Sequence, residues 1–252
     1  MARVIAIANQ KGGVGKSTTA AALSAGLSRK GERVLAVDLD AQANLTNTSG
    51  VQNPEITSLD VLSKQATAEQ AIVKGKNYDL IPASNMLTGA DARIIETGKE
   101  YRLRRALDAV KDNYDYVIID TPPALGILTV NALTACNSVI IPAQADMYSL
   151  LGISQLDETM QPVKEFTNPD LKVEGILLTR FNGRTSLSKD VVKMAETVAE
   201  QLGTKVFPVT IREAVVVKES QMWQESLFDY APTANVTKDY EALVEEIIKG
   251  GK

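Results

Sequence analysis

The strongest chemical signal in the sequence is a pair of lysines set among three glycines: Asn9-Gln10-Lys11-Gly12-Gly13-Val14-Gly15-Lys16-Ser17-Thr18. Glycine lets a backbone turn its N–H groups inward around an anion, and Gly12, Gly13 and Gly15 supply that freedom. Lys16 would then bring a cation to the β- and γ-phosphates of a nucleotide, and the Ser17 hydroxyl would ligate Mg²⁺. A helix starting near Thr18 would point its positive end at the same anion. Two ammonium groups this close repel each other unless an anion lies beside them, so the pair itself predicts a polyphosphate ligand. The strict pattern G-x-x-x-x-G-K-[ST] fails at its first position, which is Gln10, and the additional Lys11 comes directly after it.

Three carboxylates stand where such a ligand would need them. In Val37-Asp38-Leu39-Asp40-Ala41-Gln42 the two acids occupy alternate positions, and strand geometry would aim both the same way. Further on, the apolar run 116–119 ends in Asp120-Thr121-Pro122-Pro123. An acid closing a buried strand can hold Mg²⁺ directly or through water, and the two prolines stiffen the segment after it.

These groups converge only if the strands before them lie side by side. Short runs rich in β-branched residues recur at 4–8, 34–37, 78–81, 116–119, 138–141 and 173–178, separated by helical spacing at 18–30, 101–110, 150–166, 187–202 and 235–249. Continuous apolar strands alternating with helices predict a doubly wound α/β fold, with a mainly parallel sheet and helices on both faces. Ligands bind at the C-terminal edge of such a sheet, which is where Asp38, Asp40 and Asp120 fall. The segment 42–77 is the least regular and reads as partly mobile loop. No repeat or long Pro/Gly linker divides the chain, so residues 1–252 are expected to form one domain.

Composition narrows the chemistry. With one cysteine, Cys136, and no histidine, the chain has no intrachain disulfide, no Cys/His zinc set and no histidine catalysis. No apolar run approaches the roughly 18 residues of a membrane span, and no signal peptide precedes the first strand, so a cytoplasmic location is expected. A net charge of -4 means that any nucleic-acid contact must come from a local patch. The candidates are Arg184, Lys189 and Lys193, the last two sharing a helix face by four-residue spacing, and then Lys205, Arg212 and Lys218.

The K-G-G-x-G-K-[ST] form of the loop resembles the deviant Walker A motif of the family that includes the partition ATPase ParA, the division-site ATPase MinD and the nitrogenase iron protein. Asp38-Leu39-Asp40-Ala41-Gln42 resembles the family's D-x-D-P-Q, with Ala41 replacing proline, and Asp120-Thr121-Pro122-Pro123 resembles the D-T-P-P of ParA proteins. Thr179-Arg180-Phe181-Asn182 looks like the T-R-Y-N of MinD, and Ile211-Arg212-Glu213 stands where many ParA proteins read I-P-R.

The resemblance implies a P-loop NTPase fold with ATP and Mg²⁺ as cofactors. Residues 11–18 and Asn182 would bind the nucleotide, with Asn182 beside the adenine. Catalysis would fall to Lys11, Lys16 and Asp40: Lys11 reaches across a homodimer to the partner's nucleotide, and Asp40 positions the attacking water. Ser17 and Asp120 would hold the metal, while Asp38 would order the site and serve as a further metal candidate.

The iron protein's shared cluster takes two cysteines from each subunit, and this chain has one. A membrane-binding MinD tail needs a basic polar face, whereas here Glu241, Glu245 and Glu246 oppose the apolar face. The family expectation is therefore a ParA-type, nucleoid-associated protein. ATP drives a sandwich homodimer that binds DNA without sequence preference, and a ParB-type centromere-binding partner stimulates otherwise slow hydrolysis, with no membrane role. The alternative is a MinD-like positioning ATPase that acts on a protein or membrane surface without DNA.

Overall fold

The computed structural model describes residues 2–183 and 186–250, and only the backbone at 147 and 186–189. The first half of the chain runs β1 (Arg3–Ile7), α1 (Lys16–Arg29), β2 (Val34–Asp38), short helices α2 (Asn44–Thr48), α3 (Ser58–Leu62) and α4 (Ala68–Ala71), then β3 (Asp79–Ile81), α5 (Ala90–Arg93) and α6 (Arg102–Asp108). It continues with β4 (Tyr116–Asp120), α7 (Ile127–Ala135), β5 (Ser138–Gln144), α8 (Met147–Phe166), β6 (Lys172–Thr179) and α9 (Ser186–Gln201). Helices α10 (Val215–Met222), α11 (Leu227–Tyr230) and α12 (Asn235–Gly250) complete it.

The six strands form one sheet in the order β3-β2-β4-β1-β5-β6, and every pair is parallel. From β1 the chain runs to one side through β2 and β3, returns with β4 between β2 and β1, and then builds to the other side through β5 and β6, which opens a crevice at the C-terminal strand ends. Side-chain alternation divides the core in two. Val4, Ala6, Leu35, Val37, Val117 and Ile119 face the layer of α3, α6, α7, α8 and α9. Ile5, Ile7, Ala36 and Ile118 face α1 and α12. The expected doubly wound parallel sheet is what the structure shows.

Helix α12 seats Tyr240, Leu243, Val244 and Ile247 in the core against α1. Burying each apolar side chain of this size contributes about 1.5–3 kcal/mol. The two helices meet at Gly26, where an added Cβ would lie 2.5 Å from Val244 Cγ2 and 3.0 Å from Phe228 Cζ. A side chain at this position would push the C-terminal helix off the helix that leaves the glycine loop.

Two expectations change. The segment 42–77 is not loop throughout: it holds α2, α3 and α4, the last two opened by capping boxes from Thr57 with Asp60 and from Thr67 with Gln70. These helices are too short to show an apolar period. Helix α10 was also unforeseen, because Val215-Val216-Val217 is β-branched and favours strands on its own.

Candidate functional site

Residues 9–15 leave β1 and enter α1 at Lys16. Gly13 and Gly15 have φ of 77° and 89°, in the left-handed region that costs other residues energy. Gly15 is the N-cap of α1 and offers no side-chain acceptor, so the first-turn amides are left to an external one.

The loop is braced from the protein side through its carbonyls. Thr179 Oγ1 donates to Val14 O at 2.8 Å, Gln144 Nε2 to Gly13 O at 2.8 Å, and Lys16 Nζ to Lys11 O at 3.2 Å. Asn9 bridges the loop's start to β5, donating to Pro142 O at 2.7 Å and accepting from Lys11 N at 3.0 Å.

Below the loop lies a concentration of buried charge. In the register of β2 with β4, Asp38 stands opposite Asp120. Both share strand parity with Ala36 and Ile118, so their carboxylates project toward the α1 side, under the loop. Asp120 is fully buried, and neither of its oxygens accepts a hydrogen bond of good geometry. Burial drives its carboxyl well above the usual range and the charge of Asp38 adds to this, while the nearby Ser17 hydroxyl and Lys16 pull it down. Burial likewise lowers the pKa of Lys16, against the pull of Asp120 and Asp40. An unpartnered buried carboxylate costs several kcal/mol unless a cation compensates it. Ser17 and Asp120 therefore fit a divalent ion that takes its remaining ligands from phosphate and water, the usual style of Mg²⁺. Among the described residues no cluster of three or more acidic, cysteine or histidine side chains could cage a metal by itself.

The two acids of the second strand do not act as a pair. Strand β2 stops at Asp38, so the period-two expectation ends there and Asp40 turns separately into the cleft. Asp38 accepts from Asp40 N at 3.0 Å, Thr46 N at 2.9 Å and Thr46 Oγ1 at 2.7 Å. Burial raises its pKa to about 6 against these hydrogen bonds. Both Asp38 oxygens accept hydrogen bonds in the turn into α2. Asp40 accepts from Gln42 N at 3.0 Å and lines a cleft of about 710 Å³ with Gly12, Gly13, Gly15, Lys16 and Ser17. A more enclosed crevice of about 70 Å³ adjoins it behind the hydrogen bond from Gln221 to Thr18; it reaches no loop glycine and is far below ligand-pocket size.

Lys11 points within its own chain, with Nζ 2.7 Å from both oxygens of Asp146. Asp146 also caps α8, accepting from Ser149 N at 2.9 Å. Burial would raise its carboxyl, but the hydrogen bonds from Lys11 and Ser149 outweigh this and hold it low. Sequence reasoning missed Asp146, although Asp146-Met147-Tyr148-Ser149 before a long helix carries the signal of an N-cap. It missed Thr179 and Gln144 too, because nothing local marks a brace that acts across strands.

The remaining candidates scatter. Asn182 is exposed in the loop after β6, next to Phe181, whose N–H donates to Ile211 O. Arg184 lies outside the described residues, as does the side chain of Lys189; Lys193 is exposed on α9. Lys205 pairs with Glu246 at 2.7 Å. Arg212, expected among the basic patch, instead grips Asp239 of α12 with Nε and a terminal nitrogen at 2.7 and 2.8 Å. Its fork is spent on tying residue 212 to the C-terminal helix. Lys218 lines the cleft beside Asp40 and Gly12, away from α9. Arg180 lines the same cleft with a left-handed φ of 48°.

Comparison with known proteins agrees with this geometry. The family described as AAA domain matches residues 2–173. The sporulation initiation inhibitor protein Soj of Bacillus subtilis is 42% identical over 257 residues, covering 100% of each chain. The chromosome partitioning protein ParA of Myxococcus xanthus is 39% identical, covering 98% of this chain and 88% of its own. Among solved structures, one described as cobyrinic acid a,c-diamide synthase from Mycobacterium smegmatis with bound ADP and magnesium superimposes with a TM-score of 0.86 at 35% identity, covering 100% of this chain and 97% of its own. With its glycine loop, second lysine, buried Asp120 and six-stranded parallel sheet, the chain belongs to the ParA/Soj family of deviant Walker A P-loop proteins.

Proposed function

We propose that the protein is a DNA-partition ATPase that binds ATP with Mg²⁺ in the 11–18 loop, dimerises around it and lets go on hydrolysis. The observation that carries this is the fully buried Asp120 carboxyl beneath Lys16 and Ser17, which accepts no hydrogen bond of good geometry at the end of a loop built for phosphates. The names of Soj, ParA and the ADP- and magnesium-bound neighbour support the same reading.

Lys16 would grip the β- and γ-phosphates, and Ser17 and Asp120 would hold Mg²⁺, which when bound would supply charge neutralisation. Asp40, placed in the cleft with its carboxylate accepting from Gln42 N, orients the attacking water. Asn182 flanks the base. Lys11 completes the partner's site, and to do so it exchanges Asp146 for phosphate. Monomer and dimer therefore differ by a swap of one anion for another at the same ammonium group. Tyr148 and Leu151, 75% and 55% exposed just after Asp146, give that dimer an apolar rim.

The whole chain acts as one nucleotide-binding unit, and its dimer binds DNA without sequence preference through α9, with Lys193, Lys189 and Arg184 as contacts. A ParB-type partner stimulates hydrolysis. The protein works in the cytoplasm on the nucleoid; among the described residues no helix is long and apolar enough to cross a membrane.

Sizing the protein with ATP, ADP and no nucleotide, then adding duplex DNA at rising salt, tests the proposal. A dimer specific to ATP that retards DNA in a salt-dependent way supports it. An ATP dimer that ignores DNA and sediments with liposomes moves the assignment to a surface-positioning ATPase.

A further inference from the structure

The segment leaving Asp120 is anchored at its start by Thr121 Oγ1, which donates to Ile7 O at 2.9 Å, and again where Thr129 Oγ1 donates to Ala124 O at 2.7 Å. Between these anchors Pro123 reaches the cleft that holds Asp40 and the glycine loop. The segment ends at Gly126, the N-cap of α7, which has no side chain to cap the helix. The cap comes from elsewhere in the chain. Asp91, on the four-residue turn α5, accepts from Ile127 N at 2.9 Å.

The fit around that carboxylate is tight. A Cβ at Gly126 would lie 2.7 Å from Asp91 Oδ1 and 2.8 Å from Oδ2. The backbone of Gly126 is extended, with φ of −90°, so it does not need glycine for conformational freedom. Space for the Asp91 carboxylate is what glycine provides here.

We propose that Asp91 is a positioning residue for the reaction: by capping α7 through the gap left by Gly126, it fixes the far end of segment 121–126 and so sets where Pro123 meets the γ-phosphate side of the cleft. A carboxylate suits the place, since the N-terminus of α7 carries unsatisfied amides and a positive dipole end. Asp91 is not among the residues that line the cleft with the glycine loop, so its loss should act on turnover and not on binding. The role rests on the ATPase reading given above.

The test compares wild type, Asp91→Ala, Asp91→Asn and Gly126→Ala, measuring kcat, KM and ADP affinity for each. Asp91→Ala should cut kcat by about tenfold or more, since small misplacements near the reacting atoms are costly, and leave ADP affinity within about twofold. Asp91→Asn keeps an acceptor oxygen and should restore most of kcat. Gly126→Ala should reproduce the loss by displacing the carboxylate, and the double variant with Asp91→Ala should be no worse than either single one, because the two act through one contact. Hydrogen exchange at the Ile127 amide should rise in Asp91→Ala and Gly126→Ala alone. Wild type without any ATP turnover overturns the ATPase reading and the role of Asp91 with it. Wild-type turnover together with unchanged kcat in Asp91→Ala, or equal losses in kcat and ADP affinity, overturns the role of Asp91 only.

Discussion

The charges under the glycine loop and those on the α9 to α12 side of the molecule are kept in opposite ways. Beneath the loop, Lys16 and Asp120 are almost wholly removed from water, and neither oxygen of Asp120 accepts a hydrogen bond of good geometry. On the other side, Arg212 is closed onto Asp239 and Lys205 onto Glu246, in pairs whose cations remain about half exposed. Buried charge without a local partner is stable only if something from outside completes it, whereas surface charge that is already paired has no such need. The loop end therefore points to a ligand by itself. Under the DNA-binding proposal, the far side would act through cations that are still exposed, of which Lys193 is one among the described residues.

This contrast can be broken first at Asp40. Asp40→Ala should lower ATP turnover by about 10²–10⁴ and accumulate an ATP-bound dimer, as expected for removal of a group that orients water; normal turnover in a rapid phosphate-release assay would remove Asp40 from the mechanism.

The metal-free, nucleotide-free chain offers a second test through pH. The pKa of Asp38 is raised on folding, so the folded state binds its proton more tightly than the unfolded state. Its contribution is fully present below about 4, the unfolded value, and is lost as pH climbs to about 6, by an amount on the order of 2 kcal/mol. Urea melts across that window should show stability falling with pH, and Asp38→Asn should flatten the slope.

Smaller effects sharpen the picture. Thr179→Val removes the hydroxyl that braces Val14 O and should weaken ATP and ADP alike by roughly fivefold, the worth of one buried hydrogen bond, with Thr179→Ser restoring affinity. Asp146→Asn should shift dimerisation to lower ATP by only a few-fold, because its pair with Lys11 is partly solvated. An Asp146→Asn chain that dimerises less readily than wild type would mean that this pair supports the dimer and does not compete with it. Lys193→Ala should reduce the salt slope of DNA binding by about two per dimer, the share of one phosphate contact from each chain. Arg212→Ala should lower Tm and leave that slope alone.

The parts of the site that sequence made legible are the ones whose physics is local. A glycine-rich turn with lysines, and an acid at the end of an apolar run, announce themselves within ten residues, and the parallel sheet is implied by repeated short apolar segments. The features that escaped depend on distance. Asp146 meets Lys11 from 135 residues away, Thr179 reaches Val14 across the sheet, and Asp239 captures Arg212 only because α12 returns to pack on α1. Asp38 and Asp40 misled for a different reason: alternation holds only while a strand lasts, and β2 stops at Asp38. The capping boxes at Thr57 and Thr67 were readable, but the helices that they start are too short for periodicity to confirm.

One titration bears most directly on the claim that the buried charges exist for a nucleotide: isothermal calorimetry of the chain with ATP, with and without Mg²⁺, for wild type and Lys16→Ala. The account predicts one ATP bound per chain, weaker binding when EDTA removes the metal, and a loss of about 30-fold or more in Lys16→Ala, as expected for deleting one member of a desolvated charge pair. Absence of ATP binding, or binding indifferent to both Mg²⁺ and Lys16, would contradict it.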